Sequence, residues 1–182
     1  MKKFILLLAL LIPFVSYSEE TNQGQTKITK FESERGVIRK FIDVKLNNLP
    51  SPSVFNSYQA VIRTYLDDSS NTYFYIVEER EKNNVINRAV IEYSDLLEVI
   101  RAINKISTEE ETDCRSNPEY LINQFFTVDG VSVGYYVKDK KSHWFIIDVN
   151  DGSFEVKNYN ELLKALIEAK DKIEFLKQQY GK

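Results

Sequence analysis

A repeated local pattern restricts the fold of this chain more than any other feature of its sequence. The segment Tyr93–Leu97 (YSDLL) matches Tyr159–Leu163 (YNELL), at an offset of 66 in the numbering. The segment Tyr73–Val77 (YFYIV) matches His143–Ile147 (HWFII) at an offset of 70. Each half thus has an aromatic segment followed by a leucine-rich one, and this shared order predicts an internal duplication. The alternative is that similar hairpins resemble each other by chance.

The difference between the two offsets predicts a difference in length between the halves. A change from 70 to 66 places four extra residues in the last hairpin of the first half. Tyr65–Asp68 also matches Tyr136–Asp139. Each half is therefore predicted to be a four-strand meander closed by a helix, with pseudo-repeats at about 36–112 and 118–182.

The strand segments are rich in aromatic and β-branched residues, and turn residues separate them. Arg35-Gly36, Asp129-Gly130 and Asp151-Gly152 predict tight turns, and the two prolines in 48–56 predict a loop. The predicted strands are 28–34, 37–47, 59–67, 73–79, 86–93, 125–128, 131–138, 143–149 and 153–156.

Two segments instead have apolar residues at helical spacing. The first follows Ser94, which is predicted to be its N-cap, and the acidic run 109–111 is expected to end it or to lie just past it. The second is predicted over 161–179. The predicted buried residues are Leu96, Leu97, Val99, Ile100, Ile103 and Ile106 in the first helix, and Leu162, Leu163, Leu166, Ala169 and Ile173 in the second.

These elements predict an α+β fold. A meander buries one face and each helix has one apolar stripe, so the simplest arrangement is an antiparallel sheet built from two β-meander-plus-helix repeats, with both helices packed on one face. Two such repeats are able to form one continuous curved sheet. We expect binding on the open face of this sheet.

The first eighteen residues have the three parts of a secretory signal peptide. Two lysines form a positive head, Phe4–Val15 is apolar, and Ser16 and Ser18 precede the expected cleavage site before Glu19. The alternative is a transmembrane anchor, which needs about 20 apolar residues. The apolar run here is shorter and contains a proline.

The predicted organisation is a signal peptide at 1–18, a flexible tail at 19–25 and a single α+β domain at 26–182. We expect the protein to be exported, to the periplasm or the extracellular space, with no stable membrane insertion after cleavage. The formal net charge is −3, and removal of two leader lysines makes the mature chain more acidic. An acidic chain is a poor candidate for nucleic acid, which requires a basic surface.

Three segments carry a resemblance to a known group of proteins: IEYSDLLEVIRAINKI (91–106), NPEYL (117–121) and VDGVSVGYYV (128–137). They resemble a group of secreted proteins of unknown function common in Bacteroidetes. That group has no assigned activity, so the resemblance implies export from a bacterium and adds no mechanism.

The residues that usually carry chemistry are scarce. Cys114 is the only cysteine and His143 the only histidine, so an intrachain disulfide and a His-rich zinc site are excluded by count. Ser142 and His143 are consecutive on a predicted strand, so their side chains are expected to point to opposite faces of the sheet. This argues against a catalytic Ser–His dyad. Acidic neighbours of Cys114 are expected to oppose thiolate formation, although the positive charge of the adjacent Arg115 is expected to favour it. We predict no catalytic, cofactor-binding or metal-binding residue.

The closest match to a metal motif is 148–155 (DVNDGSFE), which resembles a calcium loop. An EF-hand has Gly at position six and Glu at position twelve. Counting from Asp148, Gly152 is at position five and Tyr159 at position twelve, so we interpret the segment as a hairpin turn.

The chain has 11 Tyr, 11 Phe and 1 Trp. Most are expected in the core, with Tyr136 and Trp144 as candidate ligand-facing aromatics. Val133, Tyr135 and Val137 share one strand face, so Tyr136 is predicted to lie on the other. The first functional hypothesis is an exported, non-catalytic module that binds a protein or glycan. The alternative is an envelope hydrolase built on paired carboxylates.

Overall fold

The computed structural model describes residues 26–53, 57–67, 70–82 and 84–180, so the predicted signal peptide and tail lie outside the described residues. Its elements are α1 (Lys27–Ser33), β1 (Lys40–Lys45), β2 (Leu49–Pro50), β3 (Ser57–Leu66), β4 (Thr72–Glu81), β5 (Asn84–Glu92), α2 (Tyr93–Ile106), α3 (Glu110–Ser116), β6 (Leu121–Phe126), β7 (Val131–Lys138), β8 (Lys141–Asp148), β9 (Gly152–Val156) and α4 (Tyr159–Tyr180).

The fold is α+β, as the sequence predicts, but the strands form two antiparallel sheets. The first has the order β1-β3-β4-β5, with β2 paired to β3, and the second has the order β6-β7-β8-β9. Helices α2 and α4 share one apolar core with one face of each sheet, which we call the inner face. Each sheet is thus a meander followed by a helix, and both of these helices lie on the inner side.

The two meanders have matching register. Ile62 pairs with Tyr75 in the first sheet, and Val133 pairs with Ile146 in the second, so both strands correspond at an offset of 71 in the numbering. The predicted offset of 70 for the central strand was wrong. Shifting the match between two strands by one residue pairs inward-facing residues with outward-facing ones. An offset of 71, unlike 70, matches the buried inner residues of β4 to those of β8.

The last hairpins differ more than the sequence predicted. Tyr75 pairs with Ile91, whereas the corresponding Ile146 pairs with Phe154, so the offset falls from 71 to 63 across this hairpin. The first hairpin is therefore eight residues longer than the second, rather than four. The helices begin at Tyr93 and Tyr159, which keeps the predicted offset of 66, because the link from β9 to α4 is longer than that from β5 to α2.

A short junction joins the two sheets. The backbone N–H of Arg88 on β5 donates to the carbonyl of Asp151 at 3.0 Å. Burial raises the pKa of the Asp148 carboxyl, while its hydrogen bonds from the backbone N–H groups of Asn150 and Val90 act to lower it. Asp148 thus holds its own turn and also contacts the edge of the first sheet.

The largest error in the predicted elements is α1, because 28–34 was predicted to be a strand. Thr26 caps the helix, accepting a hydrogen bond from the backbone N–H of Thr29 at 3.2 Å. Ile28 and Phe31 lie three positions apart, so both reach the same side of the helix and pack on the outer face of the first sheet. Strand β1 consequently begins at Lys40, and no hairpin forms at Gly36.

Other boundaries differ in smaller ways. Helix α2 begins at Tyr93 with Glu92 at the N-cap, so Ser94 lies in the first turn and its hydroxyl contacts the Glu92 carboxylate. The acidic run lies past α2 and forms part of α3. Strand β6 spans Leu121–Phe126 rather than 125–128, whereas β7 has the predicted bounds.

The buried helix faces are also shifted relative to the prediction. Leu96 and Leu162 are completely buried at corresponding positions, and Leu97 and Leu163 are only half-buried. The correspondence between the helices is therefore right, and the leucine at the centre of each buried face is the first of the pair.

Candidate functional site

The outer faces of the two sheets differ in what covers them. On the first sheet, the Phe31 ring of α1 stacks on Tyr65, with the ring centroids 5.4 Å apart. It also meets Phe74 edge-on at 6.2 Å. Together with Ile28, these residues form a second, smaller apolar cluster. Helix α1 therefore covers the part of the outer face of the first sheet formed by Tyr65 and Phe74.

Charged groups fix α1 in this position. Lys27 Nζ donates to Glu92 Oε2 at 2.8 Å. The guanidinium of Arg88 donates to both carboxylate oxygens of Glu32, at 3.1 and 3.2 Å. Glu32 also pairs with Arg63 at 3.5 Å, so the helix combines one aromatic anchor with three ion pairs.

On the second sheet, no helix of the described chain places a ring on Tyr136, which is only half-buried, although its neighbour Phe145 is buried. Tyr136 corresponds to Tyr65 and Phe145 to Phe74, by the offset of 71. Helix α3 contacts the inner side, where Trp144 Nε1 donates to Glu110 Oε1 at 3.1 Å. The outer face of β6 to β9 is therefore the candidate functional site, which we call the uncovered face.

A row of aromatic rings crosses the uncovered face. The Tyr136 and His143 rings are stacked, with centroids 4.7 Å apart and planes within 5°. Tyr120 lies on the other side of Tyr136 at 6.1 Å. The three rings stand side by side and present a flat apolar body with polar tips, which is the chemistry that aromatic residues bring to interfaces.

An acidic side chain completes the row. His143 Nδ1 donates to Glu155 Oε1, 2.7 Å away. Glu155 pairs with Phe145 across the strands as Glu92 pairs with Phe74 in the first sheet. His143 therefore gives Glu155 a contact comparable to the one that Lys27 of α1 gives Glu92. Burial, followed by the nearby Glu155 and Tyr120, raises the pKa of Tyr136.

Polar groups elsewhere on the uncovered face bond to each other. Ser132 Oγ donates to Gln124 Oε1 at 2.7 Å. Gly134 corresponds to Arg63 of the first sheet, and a side chain at this position would collide with the carbonyl oxygen of Asn123. The centre of the face is consequently flat, and it lacks the cation that Arg63 supplies to the first sheet.

The rim of the uncovered face is apolar. Ile122 and Phe126 of β6 point outwards and are 43% and 56% exposed, and Tyr120 just before them is 61% exposed. Val128 and Val149, in the turns at one end, are also exposed. Clustered exposed apolar side chains of this kind mark interaction surfaces.

Of the two candidate aromatics, only Tyr136 lies on this face. Trp144 is 1% exposed, and its ring packs in the core between Tyr135 and Tyr159. The expectation of a ligand-facing Trp144 is therefore corrected. The corresponding inner residue of the first sheet is Tyr73, which is also in the core, so both sheets bury an aromatic residue at this position.

The cysteine and the histidine are on different sides of the second sheet. Ser142 contacts Glu110 of α3, while its neighbour His143 lies on the uncovered face, as the strand alternation predicted. Burial, with added repulsion from Glu110 and Asp113, raises the pKa of the Cys114 thiol above that of a free cysteine, although hydrogen bonds from Ser142 oppose this. The predicted direction for Cys114 is confirmed.

An acidic cluster lies near the start of α2, beside a cavity of about 540 Å³. Burial acts to raise the pKa of Glu92, but hydrogen bonds from Lys27 and Ser94 lower it below its ordinary value. Burial raises the pKa of Asp95, which does not line the cavity. The acids that line it are Glu34 and Glu92, and Glu92 is held by Lys27.

The described residues also bear on metal binding and on membrane insertion. They include no group of three or more His, Cys, Asp and Glu side chains placed to hold a metal ion. Within the same residues, no helix has the length and hydropathy needed to cross a membrane.

No family model matches the chain, and no curated protein or solved structure is significantly similar to it. Its function is therefore argued from geometry. The sequence analysis missed Tyr120, Ile122 and Phe126 because it began β6 four residues late. Correct placement of LINQFF as a strand would have put its even-numbered residues together on one face.

Proposed function

We propose that this chain is an exported, non-catalytic module that binds another protein through the uncovered face. One observation supports this most directly. Tyr65 and Tyr136 correspond, but an aromatic residue of α1 covers Tyr65, whereas Tyr136 and its exposed neighbours have no such cover in the described chain. The first sheet shows what kind of element fits such a face.

The partner that fits is a short amphipathic helix with an aromatic residue on its apolar side. Helix α1 has this chemistry, with Ile28 and Phe31 on one side. Helices that lay an apolar stripe onto a complementary surface are a common recognition mode. Because Gly134 replaces Arg63 on the second sheet, the partner helix does not need the acidic residue that Glu32 supplies in α1.

The exposed chemistry favours a protein over a glycan. Sugar recognition needs free polar groups beside the aromatic platform, but Gln124 is bonded to Ser132 and His143 to Glu155. The exposed side chains of β6 and of the turns at one end include Ile122, Phe126, Val128 and Val149, which are aliphatic or aromatic. Such a composition matches the apolar centre of a protein interface.

The alternative, a carboxylate-based envelope hydrolase, requires two carboxyl groups that face a common cleft. Near α2, Asp95 has a raised pKa but is buried and does not line the cavity, and Glu92 is bound by Lys27. Neither group is placed to donate a proton to a substrate there. A shallow aromatic face therefore supports binding better than catalysis.

Fluorescence anisotropy with a defined peptide tests the proposal. The probe is a stapled, fluorescein-labelled helix with the sequence of 26–34, in which Glu32 is replaced by Ala. We expect measurable binding to the full chain, and Tyr136→Ala should weaken it by at least about tenfold. Val85→Ala, at a residue 42% exposed on the first sheet, is the matched control and should leave the affinity unchanged.

Two outcomes contradict the proposal. A dissociation constant above about 1 mM for the wild type, or equal effects of Tyr136→Ala and Val85→Ala, would exclude helix docking on this face. Tyr136-dependent binding to a glycan array, without peptide binding, would assign the face to sugars. Circular dichroism of each variant confirms that a lost signal does not reflect unfolding.

A further inference from the structure

The edge of the second sheet at β6 lacks the usual protection of an edge strand. Within the described chain, β6 pairs only with β7, without a register shift, so its other edge is free. Its sequence, LINQFF, contains no charged residue and no proline. Proteins normally protect such edges with lysines, prolines or bulges, because unpaired backbone groups recruit another strand.

The register identifies the backbone groups that are free. The N–H of Thr127 donates to the carbonyl of Val131 at 2.8 Å, and Thr127 continues the register of β6 with β7. Hydrogen-bonded pairs alternate along an antiparallel ladder, so the odd-numbered residues of β6 bond to β7. The N–H and C=O groups of Ile122, Gln124 and Phe126 therefore point away from the sheet.

We propose that β6 pairs antiparallel with β6 of a second copy, which joins two second sheets into one of eight strands. Only the even-numbered residues of β6 have free backbone N–H and C=O groups, so even-numbered residues of one copy must pair with even-numbered residues of the other. Among the two-fold registers that pair even with even, the proposed one places Gln124 opposite Gln124 on the axis. Ile122 then lies opposite Phe126 of the second copy, and Tyr120 opposite Val128.

This register pairs the exposed apolar side chains of the edge with one another. Tyr120, Ile122, Phe126 and Val128 are 61%, 43%, 56% and 87% exposed, and all four have even numbers. A two-fold interface must be complementary to itself, and these residues satisfy that condition about Gln124. Aromatic–aliphatic cross-strand pairs are stabilising in sheets.

The corresponding edge of the first sheet is built differently. The N–H of Leu46 donates to the carbonyl of Ala60, so the odd-numbered residues of β1 face its free edge. The position that corresponds to Gln124 is Asp43, bonded to Arg63 at 2.8 Å. Self-pairing there would oppose two aspartates, whereas Gln124 carries no charge.

The exposed area sets the expected strength of the dimer. At roughly 200 Å² per aromatic side chain, the exposed parts of Tyr120 and Phe126 provide about 230 Å² per copy. With Ile122 and Val128, the two copies together approach the roughly 1,000 Å² lower limit of a specific interface. We therefore expect a weak dimer, with a dissociation constant of about 1–100 µM.

Charges outside the ladder give the dimer a salt dependence. In the same register, Glu119 lies opposite Asp129 of the second copy at both ends. Repulsion between these acids is screened by salt. Dimerisation should therefore strengthen as the salt concentration rises.

Sedimentation equilibrium of the purified mature chain, at concentrations of about 1 µM to 1 mM, measures the association. Ile122→Lys places a lysine on the edge and should weaken the dimer by at least about tenfold. Val85→Lys adds the same charge at a residue of similar exposure on the first sheet and should have no effect. Gln124→Asp, which reproduces the first sheet's edge, should also weaken the dimer.

Amide hydrogen exchange locates the interface. On association, the amides of Ile122, Gln124 and Phe126 should become protected, whereas those of Phe41 and Asp43 on β1 should not. A monomer at about 1 mM, equal effects of the two lysine variants, or protection confined to another surface would overturn the proposal. The measurement uses only this chain, so failure of the peptide to bind the uncovered face would not affect it.

Discussion

Tyr65 and Tyr136 occupy corresponding positions on the outer faces of the two sheets, and within the described residues a helix places a ring on Tyr65 but not on Tyr136. Phe31 stacks on Tyr65 at 5.4 Å, whereas the nearest stacked ring to Tyr136 is His143, from the adjacent strand of its own sheet. The part of the first outer face under α1 is therefore buried. The second retains a half-buried aromatic row with an exposed apolar rim, and this difference is the basis of the proposed function.

The helix leucines provide a stability prediction. Leu96→Ala and Leu162→Ala should each cost about 2–5 kcal/mol, because both residues are completely buried at corresponding positions. Leu97→Ala and Leu163→Ala should cost less, about 0.5–2 kcal/mol, because these side chains are only half-buried. Urea unfolding of the four variants measures the difference. If Leu97→Ala costs as much as Leu96→Ala, the assigned helix face is wrong.

The buried carboxyl at the junction of the sheets predicts a pH dependence. Burial raises the pKa of Asp148, so the folded state favours its protonated form. Stability from this preference is present below the unfolded pKa of about 3.9 and is lost as pH rises through the higher folded value. Asp148→Asn should therefore become more stable relative to the wild type as pH rises through that window.

Urea unfolding at a series of pH values tests the Asp148 prediction. The amide of the variant keeps one acceptor for the N–H groups of Asn150 and Val90. Asp171→Asn, an exposed substitution on α4, is the matched control. A difference between Asp148→Asn and wild type that is constant with pH would show that Asp148 does not titrate differently in the two states.

The Cys114 thiol should be slow to react at neutral pH. Burial, with Glu110 and Asp113, raises its pKa above the ordinary value, and the thiolate is the reactive form. Alkylation rates followed by mass spectrometry should still be rising with pH beyond the free-cysteine pKa of about 8.5, where those of an ordinary thiol level off. Complete reaction near about pH 6 would indicate an activated thiol and revive the enzyme hypothesis. Cys114→Ser should also retain the peptide binding proposed for the uncovered face.

Export remains a proposal that one measurement tests. The positive head, the apolar stretch Phe4–Val15 and the small residues before Glu19 predict cleavage by signal peptidase. Intact mass spectrometry of protein exported from its native host should give a chain that starts near Glu19. A mature protein that retains the apolar stretch would contradict the prediction.

The alternation of side chains along a strand accounts for the site residues that could be placed correctly from the sequence. The alternation of Val133, Tyr135 and Val137 placed Tyr136 on the opposite face, and the structure agrees. The same alternation separated Ser142 from His143. These predictions succeeded because neighbours on a strand point to opposite faces regardless of what surrounds the sheet.

Predictions that depended on distant contacts were less successful. Ile28 and Phe31 fit either a strand or a short helix, and the aromatic outer face formed by Tyr65 and Phe74 is what gives the helical arrangement its partner. Trp144 was expected to face a ligand because exposed aromatic residues often do, but its ring packs in the core between Tyr135 and Tyr159. Neither error is visible in the local sequence.

The sequence alone thus determined the α+β class, the order of meander and helix, and the face of each residue within a well-placed strand, because hydrophobic period and turn residues act over a few neighbours. Tertiary structure decided that the strands form two sheets, that α1 covers only the first, and that the edge of β6 is free within the described chain. Those features depend on which surfaces meet across long separations in sequence. That choice is made by the burial of apolar area in the whole fold.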